Sequence, residues 1–271
     1  MIQEERPPMV PLKQELVTLD SYLQLEFKKF YLGVSSGRFS TCYPHARLLF
    51  CLDCGEGTFL EDDGKVICFE RGKWLLIPPF LEVRHRHNNS RHLSLHFSYS
   101  LLRGMDILSG MKRVRHASAP ELLDMVEKMS PDEPLRFLNA ANLIVRAVLE
   151  KLMPLPETGI CNNFKLIRYR RLTEWLHLAL DPHVSVAEMA RVMKLSEQTF
   201  ARKFAADTGL TPRRFNENII IDHAVMLLAD GSLSVKEIAE KLHFSNEYYF
   251  SRFFKRCMNL PPGKFRKKMQ M

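Results

Sequence analysis

The chain has 271 residues, 46% of them hydrophobic, with six cysteines and a formal net charge of +8. That length suits two domains of ordinary size, and the apolar content suffices for a core in each. No apolar run reaches the roughly eighteen residues of a membrane span. The opening MIQEERPPMV lacks the basic-then-apolar pattern of a signal peptide, and the cysteines do not form a disulfide framework. A cytosolic, reduced protein with no membrane partner is the simplest reading. The charge is one-sided. Residues 164–271 hold 19 Lys/Arg against 11 Asp/Glu, whereas residues 1–163 hold 20 of each. A basic half beside a neutral one points to a polyanionic partner for the basic half.

Residues 1–30 are mixed and Pro-rich at the start, and read as an arm. From about Arg47 the pattern is strand-like: RLLFCLDC, GTFLEDDGKVICFE and GKWLLIPP are short apolar runs separated by turn signals. Asp63-Gly64 suits a hairpin turn, because glycine accepts positive φ without steric cost. RHLSLHFSYS alternates, with Leu93, Leu95, Phe97 and Tyr99 on one face and His92, Ser94, His96 and Ser98 on the other. Strands at this spacing predict a small β-sandwich or barrel. His85, His92, Ser94 and His96 are candidates for lining a ligand pocket as neutral hydrogen-bonding groups. A polar outer sheet face is the alternative. Cys51 and Cys54 form a C-x-x-C pair beside Cys42 and Cys68, but i and i+3 on a strand point to opposite faces, so a zinc site is not expected.

Near Ala119 the pattern turns helical. Residues 119–152 predict two helices broken at Pro131 and Pro134. The second carries a wide apolar stripe of Phe137, Leu138, Ala141, Ile144, Val145, Val148, Leu149 and Leu152. Two uses of that stripe stay open: packing on the sheet, or a dimer seam. Residues 153–163, with two prolines and a glycine, predict a linker.

The remaining residues contain a repeat. Ser185, Val186, Glu188, Ala190 and Ser196 recur 49 residues later as Ser234, Val235, Glu237, Ala239 and Ser245. Phe200, Arg202, Phe204, Leu210, Pro212 and Phe215 recur at a shift of 50, so the second copy holds one inserted residue between Ser245 and Tyr249. Each copy opens with serine followed three residues later by glutamate, the capping-box pattern. A second serine, Ser196 or Ser245, is expected to start the second helix. That helix buries two phenylalanines and exposes Gln198, Thr199 and Arg202 in one copy, and Asn246, Glu247, Tyr248, Ser251 and Arg252 in the other. Two short helices with a polar outer face on the second describe a helix-turn-helix, whose second helix fits the major groove. Between the copies, Pro212 to Ala229 predicts an uninterrupted helix. At about 1.5 Å per residue it is a rod of roughly 27 Å, which with the module widths suits grooves about 34 Å apart.

This tandem arrangement resembles the AraC/XylS family of bacterial transcription regulators over about 105 residues, Leu166 to Lys268. Phe244, Tyr249, Phe250, Ser251, Arg252, Phe254, Lys255, Pro262, Phe265 and Arg266 match the family pattern, as does TGLTPRRF, Thr208 to Phe215. His243 and Lys194 stand where the family often has glycine, Asn259 replaces another frequent glycine, and Ile220 stands where an arginine is usual. The N-terminal stretch is similar, more loosely, to the family's cupin-like sensor domains through Gly55, Gly57, Gly64, Gly72, Pro78, Pro79, His96 and Phe97. Phe80 and Val83 replace the glycine and histidine that often follow the paired prolines.

The resemblance implies an α+β multi-domain chain. A cupin-like β-barrel over about 20–115 senses a small molecule, a sugar or sugar derivative. A helical segment over 119–152 contributes to dimerisation. An all-α domain over 164–271, with two helix-turn-helix motifs, binds double-stranded DNA. A homodimer acting with RNA polymerase is implied, with no cofactor. Many cupins hold a metal through an early His-x-His pair, but residues 47–66 contain no histidine, so neither a metal site nor catalysis is expected. Two other classes remain: a cupin-type enzyme fused to a DNA-binding module, and a methyl-acceptor repair protein, which the barrel-like pattern disfavours.

Overall fold

The computed structural model describes residues 23–55, 58–60, 64–102, 105–152 and 166–270. The expected linker and Asp63 lie outside them. Strands begin earlier than the apolar runs suggest. β1 spans Gln24–Thr41, so the expected arm gives way to an 18-residue strand. β2 (Ala46–Asp53), β3 (Thr58–Leu60), β4 (Val66–Cys68) and β5 (Lys73–Ile77) follow. β6 is one continuous strand, Val83–Leu102, which holds both His85 and the alternating RHLSLHFSYS run. β7 (Met105–Asp106) and β8 (Arg115–Ser118) complete one sheet.

The sheet is organised around β6. β1 pairs along it from Gln24↔Ser100 to Thr41↔Val83, with bulges at Phe27/Lys29 and Ser35/Gly37. β2 and β3 also pair with β6, over Arg91–Phe97 and Arg84–Arg86 respectively. The order β4-β3-β6-β2-β5-β8 does not join its ends among the described residues, so the expected closed barrel is here an open sheet.

One face packs on helix. Leu48, Phe50, Leu93, Leu95 and Phe97 share a core with Phe137, Ala141, Ile144, Val145, Val148 and Leu149. These last six belong to α2 (Pro134–Leu152), which follows the short α1 (Leu123–Glu127). The apolar stripe of α2 is thus largely used against the sheet, while Leu135, Leu138 and Leu143 stay exposed. The other sheet face carries a smaller core of Leu49, Cys51, Ile67, Phe69, Leu75, Ile77 and Val83.

The C-terminal region is all helix: α3 (Arg170–Ala179), α4 (Val186–Val192), α5 (Glu197–Thr208), α6 (Pro212–Asp230), α7 (Val235–Lys241), α8 (Glu247–Met258) and α9 (Pro262–Gln270). α6 serves two cores. Phe215 and Ile219 pack with Leu172, Met189, Phe200 and Phe204, while Ile220 to Leu228 pack with Ile238, Phe250, Phe254 and Phe265. A helix buried on several sides cannot tilt independently of either module, so α6 sets their spacing. Ile220 is fully buried in the second core, which explains an aliphatic side chain there. Among the described residues, no helix is long and apolar enough to cross a membrane.

Candidate nucleic-acid interface and buried polar interior

Both copies of the repeat fold as the capping pattern dictates. Ser185 and Ser234 accept a hydrogen bond from Glu188 N and Glu237 N at 3.2 Å each, and each glutamate carboxylate accepts the serine N–H in return. Each cap contributes about 1 kcal/mol. The second helices start differently from one another. Ser196 caps α5, but Asn246, not Ser245, caps α8, its Oδ1 accepting from Tyr248 N and Tyr249 N at 3.0 and 3.1 Å. The inserted residue is absorbed in the turn, so the helices align at a shift of 50. Gln198, Thr199 and Arg202 therefore correspond to Tyr248, Tyr249 and Arg252.

The turns strain to be made. Lys194 has φ 54° and His243 φ 57°, the left-handed region where a side chain costs roughly 1–2 kcal/mol. Asn259 has φ 54°, and its counterpart Gly209, with φ 72°, ends α5 in the same way. The family's glycine preference at these places thus reflects backbone geometry.

Phe200, Phe204, Phe250 and Phe254 are fully buried, which turns the opposite helix faces outward. Gln198, Arg202, Asn246, Glu247, Tyr248 and Arg252 are exposed, and Thr199 and Ser251 half-buried. The Arg252 guanidinium lies over the Tyr248 ring at 5.7 Å, which restrains it near the surface. Tyr249, absent from the sequence-derived site, is 55% exposed on the same helix. It occupies the place of Thr199 in the first copy, on the side of the helix away from Phe250 and Phe254. Glu217 of α6 bonds Arg256 at 2.8 Å and ties α8 to the central helix.

The sheet's second site residues are buried. His85, His92, Ser94 and His96 are all at most 8% exposed, so the outer-face alternative is excluded. Their shared side depends on a parity switch in β6. Residues 85 and 87 face inward, 88 and 89 are exposed, and then 90, 92, 94 and 96 face inward. Asn89, with φ 52°, makes the switch. Sequence reading missed three neighbours: His45, Arg47 and His87, each at most 5% exposed.

These groups form a row. His85 Nδ1 lies 2.9 Å from His87 Nε2, the His87 and His92 rings stack at 4.8 Å, and His45 Nε2 lies 3.1 Å from His96 Nδ1. Arg47 sits opposite His96 in register. Burial, reinforced by the Arg47 charge, pushes His87 and His92 down to about 4. Burial, with Lys28 and Arg47 adding to it, lowers His45 to about 3, and His96 is held well below its usual value. These four imidazoles, His45, His87, His92 and His96, are neutral hydrogen-bonding groups at neutral pH. Cys51 is buried, its thiol pushed up to about 12 chiefly by burial, while Cys54 and Cys68 are exposed. Among the described residues, no three His, Cys, Asp or Glu side chains come together as a metal site.

The two regions touch. Phe80, with φ 61°, donates its N–H to Tyr43 O at 2.7 Å, and both side chains pack on the second helix-turn-helix core. Arg214 lies over the Phe80 ring at 5.5 Å. Tyr43 meets Phe265 at 6.4 Å on one side and stacks on His45 at 5.4 Å on the other. A second junction is a cleft of about 250 Å³ bordered by Lys28, Ser98, His177, Asp222 and His223.

Two capped helix pairs joined by a buried rod, each with a polar helix face outward, define a tandem helix-turn-helix domain. A family profile described as a helix-turn-helix domain matches residues 189–268. The C-terminal part of the chain is an AraC-type helix-turn-helix domain, the family its sequence resembles. The uncharacterized HTH-type transcriptional regulator YidL of Escherichia coli K12 is 34% identical over 162 residues, 59% of this chain and 54% of its own length. The HTH-type transcriptional activator RhaS of Escherichia coli SE11 is 27% identical over 156 residues, 57% of this chain and 56% of its own. The chain thus matches about half the length of these relatives. Among solved structures, ToxT from Vibrio cholerae aligns at a TM-score of 0.56 and 14% identity, covering 89% of this chain and 98% of that one. That likeness is one of fold, and it extends across the sheet and the helices together.

Proposed function

We propose that the chain is a sequence-specific DNA-binding transcription regulator that responds to a small molecule. The observation that carries the reading is the repetition of one exposed arginine, Arg202 and Arg252, at equivalent places in two recognition helices held by one buried rod. In this reading residues 164–271 bind double-stranded DNA through Gln198, Thr199, Arg202, Asn246, Glu247, Tyr248, Ser251 and Arg252. Asn246 acts at one remove, because its side chain is committed to the cap.

Residues 20–115 form the sensor, cupin-like in role. His85, His92, Ser94 and His96 contact a hydroxylated effector of the sugar class. Their burial on one face supports this, since a polar interior is unfavourable unless its groups are satisfied. A solved ToxT structure is described as bound to an unsaturated fatty acid, which supports effector binding in this fold without identifying the effector. Residues 119–152 supply a dimer seam through the exposed Leu135, Leu138 and Leu143, residues 153–163 link the halves, and a homodimer acts with RNA polymerase in the cytoplasm. The relatives' names favour a regulator over a cupin-type enzyme.

The test is selection of binding sites from random duplexes by wild type and Arg252→Ala. An arginine reading a guanine edge contributes about 1–3 kcal/mol. The variant should lose that affinity and relax one operator position. A loss that is uniform across all sequences refutes base reading and leaves a phosphate contact.

A further inference from the structure

Arg47 carries a charge that the described residues leave uncompensated. Its side chain is 5% exposed, and its Nε and Nη2 are buried with no hydrogen-bond partner. No carboxylate among the described residues lies within ion-pair distance of it. The Tyr43 ring, 5.5 Å from the guanidinium, is its principal electrostatic neighbour. A buried guanidinium without an anion is strongly unfavourable, and burial depresses its proton affinity without ever discharging it.

The surroundings suit an anion. On β2 and β6 the inward pairs are Arg47↔His96, Leu49↔Ser94 and Cys51↔His92, so the cation, two imidazoles and a hydroxyl lie on one face. Neutral imidazoles can donate to an oxyanion without bringing a competing negative charge. No acidic side chain stands among the buried polar residues of this face. A purely neutral ligand would leave the guanidinium's charge as it stands, whereas an oxyanion satisfies both the charge and the fork of donors.

We propose that the molecule taken up by the sheet interior carries an oxyanion group, a carboxylate or a phosphate, clamped by Arg47 with His96 and Ser94 beside it. This rests on the reading of that interior as the sensor site and names its ligand class. Arg47 is then the specificity-determining residue: it selects acidic effectors over neutral sugars of the same shape.

The full chain is titrated with D-glucose, D-glucuronate, glucose 6-phosphate, acetate and inorganic phosphate at constant ionic strength. Thermal unfolding and the ¹⁵N signal of the Arg47 Nε–H are followed. The expected result is that at least one oxyanion probe moves the Arg47 signal and raises the melting temperature, with glucose weaker. Carboxylate and phosphate probes separate the two sources. Arg47→Met should weaken that response about tenfold or more, the loss expected for a charge-assisted bond. Without ligand it should melt no lower than wild type, because it removes a lone buried charge. Should Arg47→Met not fold, Arg47→Lys keeps the charge but loses the fork, and the wild-type Nε–H titration stands without any variant. A response to glucose that His92→Ala abolishes and Arg47→Met leaves intact overturns the oxyanion class while keeping the sensor reading. An Arg47 signal unmoved by every anion overturns the proposal, as does a lower melting temperature of ligand-free Arg47→Met with unaltered anion response.

Discussion

His243 and Lys194 show how a single dihedral outranks side-chain chemistry. Each turn places its residue at positive φ because the chain must reverse within a few residues to bring the recognition helix across the first one. His243 is exposed and its N–H bonds Glu240 O at 3.1 Å, so its imidazole is not what holds the turn. His243→Gly should therefore stabilise the domain by about 0.5–1 kcal/mol, the steric relief less the added freedom of the unfolded chain. Urea unfolding of the two proteins measures it, and a destabilised variant would refute the account. Phe80 at φ 61° is a different case. Its ring fills a contact with the second helix-turn-helix core, so strain there is offset by docking.

At the scale of elements, the two capping boxes make a matched pair. Ser234→Ala removes an acceptor for Glu237 N and should cost about 1 kcal/mol, with Ser185→Ala costing a similar amount. Chemical denaturation checks both, and a change within error would mean that packing of Ala190 and Ala239 alone sets these helix starts. The repeat was legible because caps, small residues and aromatics recur at fixed spacing. The alternation of Leu93, Leu95 and Phe97 was legible for the same reason. β1 was not, because bulges at Phe27/Lys29 and Ser35/Gly37 break its period and most of its residues are exposed or half-buried. The place of Asn246 was hidden by a one-residue insertion, because Ser245 and Asn246 are both good N-caps and the spacing does not choose between them. Arg47 was hidden more deeply. Nothing local marks an arginine for burial; its position follows from pairing with a strand whose parity changes at Asn89.

For the whole molecule, buried titratable groups of opposite sign predict a stability maximum. In the folded chain burial depresses His87 and His92 to about 4 and His45 to about 3, and holds His96 well below its ordinary value, while the unfolded chain takes up protons near pH 6.5. Between about pH 4 and 6.5 the unfolded state then binds more protons at these four sites, and stability falls as the pH falls. Asp106 and Asp222 act the other way. Burial raises them to about 7 and about 8, so the stability they contribute is lost as pH rises through those values. Four histidines outweigh two carboxyls below pH 6.5, and above it only the carboxyls remain. Urea midpoints measured from pH 4.5 to 8.5 should peak near pH 6.5; a steady rise to pH 8 would show that Asp106 and Asp222 ionise inside the fold.

Tyr43 belongs to both halves at once. One side of its ring lies against His45 and beneath Arg47, and the other meets Phe265 behind the second recognition helix. In the proposed reading this ring lies between the effector and operator sites, and any coupling it carries acts equally in both directions. If an effector loosens the grip on operator by some factor, operator must loosen the grip on effector by that same factor, and likewise if it tightens. Tyr43→Ala should bring that shared factor toward one while leaving each affinity measurable on its own. Paired titrations, effector with and without DNA, then DNA with and without effector, make the molecule report its own internal wiring twice.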